Sequence, residues 1–115
     1  MKVKHILKPE EFVSLLRKGT RIKGAFFSLF YNTSDPQEKS LFIGVILAKK
    51  NISLAVRRNY IRRSIYAFLR TDAKNSILPG KYLVRLDKNV NDIKSKKIIK
   101  NILAKDLKFL FSNTK

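Results

Sequence analysis

The stretch Lys49–Arg70, KKNISLAVRRNYIRRSIYAFLR, contains seven basic residues and no acidic residue. At about 100° per residue, several of its apolar side chains share one side of a helix, namely Leu54, Ile61, Ile65 and Phe68. Another side carries polar and basic side chains, namely Arg58, Asn59, Arg62 and Arg63. The stretch therefore predicts a helix with its entry turn, one face packed on a core and the other offered to a polyanion.

The composition of the chain predicts a single basic domain, residues 1–115. Hydrophobic residues make up 44% of the sequence, so a core is available, while Lys and Arg outnumber Asp and Glu by 26 to 8. A net charge of +18 destabilises a compact fold unless a partner supplies the opposite charge, and nucleic acid is the commonest such partner. The absence of cysteine excludes disulfides, thiolate zinc sites and thiol nucleophiles.

Apolar runs such as Gly44–Ala48 are too short to span a bilayer, which needs about 20 apolar residues. Residues 1–8 alternate lysine with apolar residues and have no signal-peptide core. We therefore expect a soluble, cytoplasmic protein without a membrane partner.

Two further helices are predicted on either side of the basic stretch. Pro9 followed by Glu10 and Glu11 suits the first turn of a helix, and Gly19 suits its end. A final helix is predicted over Ser95–Phe111, because its apolar residues recur at helical spacing.

Three stretches have strand composition: Thr20–Tyr31, which can split into further strands, Ser40–Ala48 and Lys81–Asp87. The turn-forming residues 33–36 predict that the first two stretches pair antiparallel. The order helix, strand, strand, helix, strand, helix predicts a small α+β sandwich, with helices on one side of a sheet and part of the other face open.

No catalytic or metal-binding constellation is visible in the sequence. His5 lacks a partner at motif spacing and is expected to be exposed and idle, and Glu10 and Glu11 point in different directions on a helix. Asp87 and Asp92 could hold a magnesium ion, but they are better explained as loop-forming residues. The pattern favours a binding module, or a subunit whose partner carries out the catalysis.

The segment Arg58-Asn59-Tyr60-Ile61-Arg62-Arg63 resembles the arginine-asparagine signature of the bacterial ribonuclease P protein component. In that family the signature follows a strand ending much like Ala48-Lys49-Lys50-Asn51-Ile52, at the same distance. The resemblance extends over nearly the whole chain, including Leu78-Pro79-Gly80 before the third strand.

The resemblance implies a fold like one domain of a small-subunit ribosomal protein, with a left-handed βαβ crossover. It implies that a large RNA binds Mg²⁺ and acts as the endonuclease that removes the 5′ leader of precursor tRNA, while the protein assists by binding that RNA and the leader. No catalytic residue, protein-bound metal or protein partner is expected for this chain.

The resemblance also implies two sets of site residues. The RNA-binding set is Lys49, Lys50, Asn51, Arg57, Arg58, Asn59, Arg62, Arg63 and Tyr66. The leader-binding set is Phe12, Leu16 and Phe30, although Leu16 stands where an aromatic residue is common. Tyr66 stands where the family usually has a further arginine, and Leu54, another departure, is expected to add to the core.

Three other functions are alternatives, and the first of them shares the charge and the lack of catalysis. A ribosomal or other structural RNA-binding protein is the main alternative, although such proteins favour basic tails that this chain lacks. A DNA-binding helix would need a helix-turn-helix partner, whereas a strand precedes the basic stretch. An amphipathic helix on a membrane surface is disfavoured by the same buried strand.

Overall fold

The computed structural model describes residues 3–6, 8–71 and 77–114. In these residues five strands form one sheet and three helices pack against it. Their bounds in chain order are β1 Val3–His5, α1 Pro9–Lys18, β2 Thr20–Lys23, β3 Phe27–Asn32, β4 Leu41–Ile46, α2 Ala55–Thr71, β5 Gly80–Leu86 and α3 Lys96–Ser112. The predicted order is confirmed, with β1 added and the first strand stretch split at Gly24.

The ends of α1 and α3 follow from local chemistry. Pro9 occupies the first turn of α1 together with the two glutamates, and the Gly19 N–H donates to the carbonyl oxygen of Leu15 at 2.9 Å. The Ser95 hydroxyl accepts the N–H of Ile98 at the start of α3. The boundaries of α1 and α3 were therefore predictable to within about a residue.

The strand order in the sheet is β1-β4-β5-β3-β2. β5 lies between β3 and β4, antiparallel to the first and parallel to the second, so the predicted direct pairing of those two strands is wrong. The cause is burial: Tyr82, Leu83 and Val84 of β5 are fully buried, and such a strand belongs at the centre of a sheet covered on both faces. β4, α2 and β5 form the expected βαβ unit; its left-handed sense stays the expectation from the resemblance.

The sheet carries the helices on both faces rather than on one, which corrects the prediction. Helices α2 and α3 cover the larger core, formed by side chains that include Leu29, Ile43, Ile61, Ile65, Tyr82, Leu103 and Leu107. Helix α1 covers part of the opposite face, where Leu15 packs with Ile6, Phe30 and Leu83. The rest of that second face stays open, as predicted. None of the described helices is long and apolar enough to cross a membrane.

Asp106 is a buried charge that ties α3 to the turn between β2 and β3. Its carboxylate accepts the backbone N–H groups of Ala25, Phe26 and Phe27 at 3.1, 2.7 and 2.9 Å, and its residue exposure is only 5%. These bonds satisfy the backbone donors of a turn that no strand pairs. An added Cβ at Gly24 would lie 3.1 Å from the Asp106 Cγ, so glycine permits this close approach.

We predict that Asp106→Ala lowers the free energy of unfolding by about 3 kcal/mol, because the buried N–H of Phe27 and the part-buried N–H groups of Ala25 and Phe26 lose their acceptor. Urea denaturation measures this loss. The neighbouring exposed Lys105→Ala serves as control and should change the free energy by less than about 0.5 kcal/mol. Equal stabilities of the two variants would contradict the assigned role of Asp106.

Candidate nucleic-acid interface

The turn after β4 presents two exposed lysines, Lys49 and Lys50. The turn is closed by the Ala48 carbonyl, which accepts the N–H groups of Asn51 and Ile52. Two side chains of the loop after β5 support it from outside: Asn89 and Asn91 donate to the carbonyl oxygen of Lys50 at 2.9 and 3.0 Å. Sequence reasoning missed these two asparagines, although their composition is typical of loops that bond to backbone.

Asn51 points into the fold. It is 9% exposed, and its side-chain amide donates to the carbonyl oxygen of Leu86 at 3.1 Å, while its own carbonyl accepts the N–H of Val90. Asn51 therefore supports the turn on which the two lysines stand. Its predicted contact with RNA stays a prediction.

The first two arginines of α2 are anchored by backbone carbonyls. Arg57 donates to the carbonyl of Lys94 at 2.9 Å, and one nitrogen of Arg58 donates to the carbonyls of Ile52 and Ser53 at 3.0 and 2.8 Å. A guanidinium has five N–H donors, so each anchored arginine keeps donors for a further acceptor. The anchoring fixes these two charges at the positive end of the helix dipole.

Asn59, Arg62 and Arg63 continue the basic surface along α2. The Asn59 side-chain oxygen accepts a bond from Arg62 at 3.4 Å, while Asn59 and Arg63 are exposed. The first turn of α2 contains no acidic residue. Opposite this surface, Ile61, Ile65 and Leu69 are buried, so the helix is amphipathic as predicted.

Tyr66 contacts the first strand. Its ring centroid lies 4.3 Å from that of His5, and burial raises the pKa of the Tyr66 hydroxyl, although Arg62 and Arg70 pull that pKa back down. The hydroxyl is therefore a neutral hydrogen-bonding group at physiological pH. His5 is exposed as predicted, and its idleness in chemistry stays a prediction.

The prediction that Leu54 adds to the core is wrong. Leu54 is 60% exposed, and Ile52 occupies the core instead, fully buried. The prediction assumed that Leu54 lies on the helix, but α2 begins only at Ala55. Helical spacing therefore does not describe where the Leu54 side chain lies.

The three predicted leader-binding residues lie on α1 and on the sheet face beneath it. Phe12 is half-buried and Leu16 is exposed on α1, whereas Phe30 is only 4% exposed. Phe12 can lie flat on the sheet because the residue beneath it is Gly44, where an added Cβ would be 2.5 Å from the ring carbon Cε1. The structure thus brings Phe12 and Phe30 into one apolar cluster, of which Leu16 is not a member.

Beside α1 the open face of the sheet forms a hollow of about 360 Å³. It contains four basic residues and one carboxylate, and its lining is Arg21, Lys23, Ile46, Ala48, Lys50, Asn51, Arg85, Leu86 and Asp87. Lys50 belongs both to this hollow and to the basic turn, so the two cationic surfaces are continuous. Arg21, Lys23 and Arg85 were missed, although the two-residue period of a strand places the first two on one face.

The described residues contain no group of three or more histidine, cysteine, aspartate or glutamate side chains that could hold a metal ion. Asp87, considered above as a magnesium ligand, accepts hydrogen bonds from Ser28 and from Arg85, the latter at 2.8 Å. Both carboxylate oxygens of Asp87 thus take part in hydrogen bonds within the fold, and the absence of a protein-bound Mg²⁺ stays a prediction.

A basic helix, an adjoining cationic sheet face and no reactive cluster in the described residues define an RNA-binding α+β protein. The Ribonuclease P family model matches residues 1–110. The chain therefore belongs to the ribonuclease P protein family and is a protein subunit of ribonuclease P, the endonuclease of tRNA 5′ maturation; its membership implies binding to ribonuclease P RNA.

Solved structures agree with this assignment. The RNase P protein of Staphylococcus aureus is 26% identical, with 96% of this chain and 99% of that chain covered and a TM-score of 0.71. The RNase P protein of Thermotoga maritima is 17% identical, with 91% and 94% covered and a TM-score of 0.75, which supports the fold. No curated protein matches the sequence. None of these comparisons supports the ribosomal alternative.

We predict that Gly44→Ala lowers the free energy of unfolding by about 1–3 kcal/mol, because the new methyl group collides with Phe12 and crowds Leu83. Chemical denaturation measures the loss. In the double variant Phe12→Ala/Gly44→Ala the collision is absent, so the double variant should be about as stable as Phe12→Ala alone. Additive losses would show that the methyl group does not act through Phe12.

Proposed function

We propose that this subunit uses two surfaces for two parts of the reaction. The α2 surface and the turn before it bind the catalytic RNA, and the open sheet face beside α1 binds the 5′ leader of precursor tRNA. The observation that carries the proposal is the continuity of two cationic surfaces through Lys50, on opposite sides of one thin sheet.

The α2 surface suits a folded RNA. Its proposed contacts are Lys49, Lys50, Arg57, Arg58, Asn59, Arg62, Arg63 and Tyr66, with Asn51 supporting the turn. Arginine forks can bind two phosphate oxygens at once, and anchored arginines lose little freedom on binding. In the described residues the ion pairs are Lys81–Glu11 and Arg85–Asp87, neither of which involves α2. The charges of α2 are therefore available to phosphates.

The hollow beside α1 suits a single strand. Phe12 packs in the same apolar cluster as Ile46, and Ile46 lines the hollow together with its four cations. Apolar surface next to cations is the combination that holds bases and backbone together. A duplex would offer its phosphates but not its base faces to such a site. A single-stranded extension of tRNA fits this arrangement better than the folded tRNA body.

The chemistry is assigned to the RNA partner. Mg²⁺ bound there would supply the activated water for phosphodiester hydrolysis, and the residues of this chain bind and orient the substrate. The proposal places the complex in the cytoplasm, with no membrane and no further protein partner.

The test is binding by the protein reassembled with its cognate RNA at low magnesium. The protein should raise the affinity for precursor tRNA with a leader more than the affinity for mature tRNA. Equal effects on the two substrates would contradict leader binding, and no effect on either would contradict the whole proposal.

We predict that Arg62→Ala and Arg63→Ala each weaken binding to the catalytic RNA and reduce the slope of log affinity against log salt by roughly 0.7–0.9, as expected for one lost phosphate contact. Filter binding over a salt series measures the slope. Lys108→Ala removes the same charge from an exposed position on α3 and should leave the slope nearly unchanged. A slope that falls equally in all three variants would mean that α2 is not a specific surface.

A further inference from the structure

The register of the sheet brings an arginine pair and an aromatic ring together on the open face. Arg21 of β2 lies opposite Phe30 of β3, and Ser28 lies opposite Arg85 of β5. Because side chains alternate along a strand, all four point to the face that α1 leaves partly uncovered. Arg85 is distant in sequence from the other three residues, and the pairing of β5 with β3 brings it to them.

Both guanidinium groups lie over the Phe30 ring. The Arg85 Cζ is 4.9 Å from the ring centroid and the Arg21 Cζ is 5.5 Å from it. Cations at these distances are attracted by the negative face of the ring. A nucleobase approaching from solvent therefore meets the arginines before it meets Phe30, which is almost fully buried.

A hydrogen-bonded chain holds the two arginines in place. Arg85 donates through its Nε to one oxygen of Asp87 at 2.8 Å, and the Ser28 hydroxyl donates to the other oxygen. The oxygen of Ser28 accepts a bond from Arg21 at 3.4 Å. The terminal Nη groups of Arg85 are not used in this chain of bonds, and Arg21 engages through one nitrogen only.

The two guanidinium groups carry like charges and repel each other. Here one carboxylate and one ring offset the repulsion. The cluster of Arg21, Arg85 and Asp87 keeps a net charge of +1, and Lys23 and Lys50 add to it around the same hollow. The arrangement is that of a preorganised anion site with a single internal acid.

We propose that Arg21 and Arg85 form a clamp for one phosphodiester group of the leader, with Asp87 as the positioning residue and Phe30 as the floor of the clamp. This inference rests on the proposed function and names the group of the leader that the hollow recognises. Phe30 then acts through the arginines instead of stacking on a base.

Asp87→Asn separates this role from simple electrostatics. Loss of a negative charge strengthens the attraction of the hollow for RNA, so electrostatics alone predicts tighter binding of the leader. A positioning role predicts the reverse: the reassembled enzyme should lose about fivefold to tenfold of its leader-dependent gain in affinity, measured as the ratio between precursor and mature tRNA.

Three further variants complete the test. Arg85→Lys and Arg21→Lys keep the charge but lose the fork, so each should reduce the same ratio. Lys23→Ala removes a charge from the hollow outside the hydrogen-bonded chain and should reduce the ratio by less. If Asp87 acts through Arg85, the double variant Arg85→Lys/Asp87→Asn should be no weaker than Arg85→Lys.

The outcomes are distinct. If the wild type shows a leader-dependent gain in affinity and Asp87→Asn keeps or increases that gain, the clamp is overturned and the proposed function stands. Additive losses in the double variant also overturn the clamp. The absence of any leader-dependent gain in the wild type overturns the clamp together with the proposed function. Thermal melting of each free variant identifies misfolded protein. If the variants of Asp87 or Arg85 misfold, Arg21→Lys tests the clamp, because Arg21 is exposed on the edge strand β2.

Discussion

Charge repulsion is the constraint on which the rest of this structure depends. A chain of 115 residues with a net charge of +18 must fold around few acidic groups. Three of its carboxylates hold the sheet and its helices: Asp106 holds the β2–β3 turn, Asp87 holds Arg85, and Glu11 pairs with Lys81 at 3.0 Å. Asp35 and Glu38 accept backbone N–H groups within their own loop. None of these contacts involves α2, so the charges of α2 stay available for a partner.

The amphipathic character of α2 follows from the same constraint. Its cations have no neighbouring acid in the first turn, so the helix is held on the sheet by its buried apolar residues, above all Ile61, Ile65 and Leu69. The turn before α2 is held by asparagine side chains and backbone bonds rather than by ion pairs. Neutral contacts thus position a charged surface, and its charge can be matched by the phosphates of RNA.

The sequence allowed the helices, the main strands and the basic surface of α2 to be predicted, because each depends on local periodicity and end signals. The sequence did not reveal which strands are neighbours. β5 is central because both of its faces are covered, and this depends on how the helices pack on the sheet. The inward direction of Asn51 and the arginine over Phe30 depend on that arrangement too, because their partners Leu86 and Arg85 belong to β5. The exposure of Leu54 has a different cause, since α2 begins only at Ala55. Asp106 was missed because a single acid within a basic helix pattern carries no local signal for a distant turn.

The central claim is that opposite faces of the sheet bind different RNAs, and site-specific photocrosslinking in the reassembled enzyme with precursor tRNA tests it most directly. A crosslinker at Val56, 67% exposed at the start of α2, reports on one surface, and a crosslinker at Lys23 reports on the hollow. The account predicts that position 56 joins to the catalytic RNA and position 23 to the 5′ leader. Crosslinks from both positions to the same RNA, or with the two targets exchanged, would contradict it.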